Sequence, residues 1–160
     1  MIYIKNNKPP RTYSVPYCAS EANKDLSITT FGNNFKVSPK ILEKALQLHT
    51  EGNLSEAKKL YKTHLDKKIY HPDIFLNYAV ICKENGELEK ASSLCKEAIS
   101  LYPMNAKIYS NFANLLKESG KLYEAKSLIE KAIKIDPSIA EFYNNLSTIF
   151  DSLEKIDDAI

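Results

Sequence analysis

Ala57, Ala91, Ala125 and Ala159 stand 34 residues apart along the chain. Gly52, Gly86 and Gly120 keep the same step, as do Leu54, Leu88, Leu122 and Ile156, and as do Asn77, Asn111 and Asn145. Self-similarity at such a period marks one supersecondary unit stacked several times, each unit too small to bury its own apolar face. It constrains function as well as fold, because stacked arrays present extended binding surfaces and seldom carry chemistry.

Inside the unit the apolar residues keep a helical period. In 106–139, Tyr109, Phe112, Ala113 and Leu116 recur at i, i+3, i+4 and i+7, which is one face of a helix. Gly120 then offers the left-handed residue that ends a helix. A second stripe follows with Ala125, Leu128, Ile129, Ala132 and Ile133, and Pro137 closes it. Two helices joined by so short a turn lie antiparallel. The small residues Ala113, Ala125 and Ala132 allow their backbones to approach. Unit 72–105 repeats the scheme with Phe75, Tyr78, Ala79 and Cys82, then Gly86, then Ala91, Leu94, Cys95, Ala98 and Ile99, then Pro103.

The end units depart from this scheme. In 38–71 the first stripe reads Ile41, Ala45 and Leu48 with Lys44 interrupting it, and His64 takes the place of an alanine in the second. In the partial unit 140–160 the stripe reads Tyr143, Leu146, Ser147 and Phe150, and Glu154 stands where the glycine belongs. The last four residues, 157–160, are too few to hold a helix alone. Helix 141–153 is therefore expected to serve as a terminal cap on a monomer, and any self-association is expected through this C-terminal end. Residues 1–37 show no period, and Pro9, Pro10 and Pro16 break any helix; they read as a mobile, mildly basic tail.

These residues are similar to the tetratricopeptide repeat, a 34-residue helix–turn–helix with an aromatic, a small residue, a glycine, alanines and a late proline. The resemblance covers 38–160. The segment 109–125, Y-S-N-F-A-N-L-L-K-E-S-G-K-L-Y-E-A, resembles the repeats that precede the catalytic part of O-linked N-acetylglucosamine transferases, and those of bacterial repeat proteins. The resemblance implies an all-α, right-handed superhelix of about three and a half repeats whose first helices line a concave groove for extended peptides. It implies a noncatalytic scaffold. The rival reading is the substrate-recognition arm of a glycosyltransferase-like enzyme whose catalytic module lies outside this chain.

Asn77, Asn111 and Asn145 lie two residues after the aromatic, a rotation of roughly 200° that points away from the buried stripe. Asparagine is a poor helix former, so helix propensity did not select it. An amide donates and accepts, which suits the backbone of an extended peptide. In the resembling transferases a ladder of asparagines at this position holds the substrate backbone; duplication of the repeat would equally have copied one asparagine into each unit. Glu43 holds the position in the first unit. Asn114, Lys83 and Lys117 are expected on the same groove, with Glu84, Glu118, Asn144 and Asp151. Some members of the family grip C-terminal carboxylates through lysine and asparagine. Glu43, Leu76 and Ser110 stand where that clamp needs other residues, so this activity is not carried over.

Other chemistry finds little support. The net charge is +2 and there is one arginine against 21 lysines, which argues against a nucleic-acid partner. Cys18, Cys82 and Cys95 are odd in number and widely spaced, which makes no disulfide framework and suits a reducing, cytoplasmic compartment, and Cys82 and Cys95, on the core stripes of one hairpin, are expected to be buried free thiols. His49, His64 and His71 lack metal-ligand spacing with them, and no metal or cofactor is expected. Ser93 and Lys96 match S-x-x-K without its companion motifs. No apolar run reaches the roughly 20 residues that span a bilayer, so no membrane partner is expected.

Overall fold

The structure is a computed structural model and describes residues 39–157; the expected tail and Ala159 lie outside the described residues. Seven helices follow one another among the described residues, with no strand: α1 Pro39–Thr50, α2 Leu54–Asp66, α3 Pro72–Glu84, α4 Leu88–Leu101, α5 Ala106–Glu118, α6 Leu122–Ile135 and α7 Ala140–Asp157. Each helix packs on the next to form a right-handed α-solenoid, and α3, α5 and α7 also touch side by side.

The glycine turns form for the reason the sequence suggests. Gly52, Gly86 and Gly120 all hold φ between 75° and 78°. The residue after each donates its backbone N–H five residues back, Asn53 to Leu48, Glu87 to Cys82 and Lys121 to Leu116, at 2.8–2.9 Å. This double-bonded cap needs a left-handed residue, and a Cβ on Gly86 or Gly120 would meet open space. Glycine is therefore required there for its dihedral alone. The alanines do what their size allows: Ala57, Ala91, Ala98, Ala125 and Ala132 on the even helices are fully buried against Ala45, Ala79 and Ala113 on the odd ones.

The core is wider than one stripe per helix. Ile74 and Ile81 on α3, Ile108 and Leu115 on α5, and Phe142 and Ile149 on α7 are also buried. They lie on the flank of each odd helix that meets the preceding hairpin. An inner helix thus buries one face on its own partner and another on the previous repeat, which leaves α3 and α5 little apolar surface to show.

The end helices correct the expected stripes. On α1 it is Leu42, Ala45 and His49 that are buried, while Ile41 is 44% exposed. Its flank facing away from the array carries Lys40 and Gln47, both exposed, at the positions of Ile74 and Ile81. On α7 the buried residues are Phe142 and Ile149; Tyr143 and Phe150 are 47% and 40% exposed, and Ser147 is exposed. The reason is the same for both helices: among the described residues each has only one of the two neighbours that bury an inner helix. α7 also runs on through Glu154 to Asp157 instead of turning at 153. Without a glycine the left-handed stop is unfavourable, and the helix continues.

Candidate functional site

The odd helices form one layer and the even helices the other. Among the described helices the close side-by-side contacts between successive repeats are those of α3 with α5 and of α5 with α7, so the odd layer lies at the smaller radius and lines the inner, concave face. The expected site residues fall on this layer, but they do not stand clear of it.

Asn77 on α3 is only 2% exposed, and Asn111 and Asn145 on α5 and α7 are half-buried. The expectation of three amides opposite the core needs correction. The inner helices approach closely enough to enclose these side chains between them. The rungs also differ. Asn145 Nδ2 donates to Ser110 Oγ of α5 at 3.1 Å. One repeat earlier the residue equivalent to Ser110 is Leu76, which offers no acceptor, and Asn111 Nδ2 has no hydrogen-bond partner. Asn114, half-buried one turn further along α5, has an unpartnered Oδ1. The middle of the inner face therefore holds amide groups whose bonding capacity the fold leaves unused, an uncommon condition for enclosed polar atoms.

The two lysines act as struts. Lys83 Nζ on α3 reaches Glu118 Oε1 on α5 at 3.0 Å. Lys117 Nζ on α5 donates to Thr148 Oγ1 on α7 at 3.1 Å, and that hydroxyl donates to the Asn145 carbonyl at 2.9 Å. Both tie one inner helix to the next. Glu84, Asn144 and Asp151 are exposed on the same helices. The groove is accordingly polar and nearly charge-balanced, and neither lysine stands free to meet an anion.

Sequence reasoning missed two features. Ser110, buried at the floor of the layer, is the acceptor that fixes Asn145; the signal was its difference from Leu42 and Leu76 at the same repeat position. The second is a pair of tyrosine bonds that join successive repeats. Tyr109 Oη donates to the Pro103 carbonyl at 3.0 Å and Tyr143 Oη to that of Pro137 at 3.2 Å. Phe75 lacks the hydroxyl and packs instead between Tyr70 and Tyr102, with ring centroids at 5.9 and 6.4 Å.

Among the described residues no three His, Cys, Asp or Glu side chains come together as metal ligands. Cys82 and Cys95 are buried free thiols, as expected. Burial pushes them up to about 11 and about 12 respectively, so neither is a nucleophile at neutral pH. No described helix is long and apolar enough to cross a membrane.

Comparison with known proteins agrees with this geometry. The sequence model of the tetratricopeptide repeat matches residues 72–105 and 106–139. No curated protein matches the chain. Among solved structures, the first tetratricopeptide domain of Spaghetti (RPAP3), bound to the HSP90 peptide SRMEEVD, is 27% identical with a TM-score of 0.66, over 72% of this chain and 91% of that one. The first such domain of human RPAP3 is 26% identical with a TM-score of 0.68, over 75% and 94%. The Sgt2 domain of Aspergillus fumigatus, at 21% identity, shares the fold with a TM-score of 0.68 over 74% and 80%. Segments 72–105 and 106–139 are tetratricopeptide repeats, and the fold is that of such domains. The special likeness expected from 109–125 to transferase arms or bacterial repeat proteins is not shown by these neighbours.

Proposed function

We propose that the inner face binds an extended segment of a partner protein and that the chain acts as a noncatalytic scaffold. In this reading the repeats are 38–71, 72–105, 106–139 and the partial 140–160, preceded by the tail 1–37, and the protein works in the cytoplasm, where buried free thiols persist. The observation that carries the proposal is the centre of α5. Asn111 and Asn114 keep unused amide capacity on the one face that the solenoid curves around. A passing peptide backbone supplies both the carbonyl and the N–H that such amides lack. The RPAP3 neighbour that holds a peptide supports the general mode.

The ligand is read through amides and backbone, not through its charge. Lys83 is neutralised by Glu118 and Lys117 is engaged by Thr148, so an internal segment fits better than a terminal carboxylate. The test is a peptide array probed with the full chain, with SRMEEVD as its acidic reference, followed by calorimetry of the best binder. Asn111→Ala with Asn114→Ala is expected to weaken that binder by about 1 kcal/mol per lost contact, roughly fivefold each. Folding should be unchanged, since alanine suits a helix better. A double variant that binds as tightly as the parent would refute the role of α5.

A further inference from the structure

Successive hairpins also meet along a seam where each even helix packs on the next odd one, α2 on α3, α4 on α5 and α6 on α7. One repeat position decides how the seam is filled. At the first junction it holds Lys58, whose Nζ is paired with Oε1 of Glu87, the residue just before α4. At the third it holds Lys126, whose Nζ lies 4.8 Å from the centre of the Phe150 ring. At the middle junction the same position holds Ser92, and the counterpart of Glu87 is Lys121, just before α6. The long side chain that spans the seam elsewhere is therefore absent, and a base stands in the place of the acid that would receive it. A cleft of about 500 Å³ opens between α4 and α5. Leu115 and Leu116, both buried, lie behind it, and Leu88, 41% exposed, forms one wall. Ser92, Ser93 and Lys96 line it from α4, and Lys121 from the turn before α6. Neither lysine is ion-paired with another described residue. Glu89 is the one acid on the lining, so the two lysines leave it positive. The first junction also has a hollow, of about 430 Å³, but Lys62 and Lys90 there face Glu87 and Glu89 in balance.

We propose that the cleft between α4 and α5 binds a small organic anion with an apolar body, of the class of a medium-chain carboxylate. The argument is complementarity with what fills the same seam elsewhere. Lys58 spans the first junction with an apolar stem and meets an acid with its charge. In the middle junction the chain supplies the opposite half of that pair. The ligand's body takes the place of the lysine stem, against Leu88, Leu115 and Leu116. Its carboxylate meets Lys121, in the place of Glu87, with Lys96 and the hydroxyls of Ser92 and Ser93 as further donors on the same lining. An ammonium group donating to a carboxylate is the stronger kind of hydrogen bond. A cation of the same shape would meet two like charges. The volume suits a small molecule, and the few polar groups around an apolar wall are what such sites present. Asn111 and Asn114 do not line the cleft, so this site is separate from the inner face.

Amide NMR of the full chain, titrated with octanoate, tests this. Saturable shifts are expected at Leu88, Ser92, Ser93, Leu116, Ser119 and Lys121. Octylamine, with the same body and the opposite charge, should act about tenfold more weakly at these amides. Lys121→Glu should weaken octanoate by about tenfold as well. Ser92→Lys with Lys121→Glu rebuilds the tie of the first junction across the cleft. It should abolish octanoate binding while holding or raising the parent's melting temperature, so that loss of binding is not loss of fold. Asn111→Ala with Asn114→Ala, on the inner face, should leave octanoate binding unchanged. Cleft amides that stay still throughout the octanoate titration would overturn the proposal. So would an equal response to octylamine, or a Ser92→Lys, Lys121→Glu chain that binds octanoate as well as the parent does.

Discussion

His49 stands one repeat before Lys83, yet it does not act as a strut. It is 1% exposed, neither ring nitrogen has a hydrogen-bond partner, and its ring meets the edge of Tyr61 at 6.2 Å between centroids. Burial holds its pKa below the ordinary histidine value, while Glu84 pulls weakly the other way. His71, half-buried at the cap before α3, is shifted in the same direction by burial against the opposing pull of Asp73. Both folded values lie below the unfolded value of about 6.5. The unfolded chain therefore takes up protons first as pH falls, and stability present above that value is lost until the folded pKa values are passed. Thermal melts should be highest near neutrality and fall towards pH 5. His49→Leu should flatten that slope while holding or raising stability at pH 7, because it removes two unsatisfied nitrogens; an unchanged slope would clear His49 of the effect. Lys68 offers a second residue-level test. It holds φ at 57° where the turns after α1, α3 and α5 use glycine, and Ile69 N–H closes the same turn on the His64 carbonyl at 2.9 Å. Lys68→Gly should stabilise the chain by about 0.5 kcal/mol in urea titration, the left-handed penalty less the extra entropy of glycine. Such a non-glycine cap could not be read beforehand, since nothing in a lysine announces it.

At the scale of the helix, the hairpins were legible and their second faces were not. The 34-residue step, the glycines and the alanines define a helix pair within one repeat, because those residues contact each other inside that repeat. Ile74, Ile81, Ile108 and Leu115 bury against the previous repeat, and a single-face periodicity does not see a neighbour. That omission also misplaced the stripes of α1 and α7, which have one such neighbour fewer among the described residues, and it made Asn77 seem exposed when the closeness of α3 to its neighbours buries it. Ala125 belongs to the part that was legible. Ala125→Leu adds bulk at a fully buried helix crossing and should cost about 1–3 kcal/mol, a clear fall in melting temperature; an unaltered melt would mean the pair has room that the structure denies. The end of α7 is a separate test. Hydrogen exchange should show protection continuing from 150 past Glu154, and Glu154→Gly should end it early. Equal exchange in both proteins would show that the helix does not depend on that residue.

For the molecule as a whole, successive repeats hold together through one recurring apolar flank. Ile74 and Ile81 on α3, Ile108 and Leu115 on α5, and Phe142 and Ile149 on α7 are buried on it, while α1 carries Lys40 and Gln47, both exposed, at the same positions. Lys40→Ile with Gln47→Ile would give α1 the apolar flank of an inner odd helix. Light scattering across a concentration series should then show a larger mass for the variant than for the parent. If the variant keeps the parent's mass, polarity at these two positions is not what keeps that flank of α1 from associating.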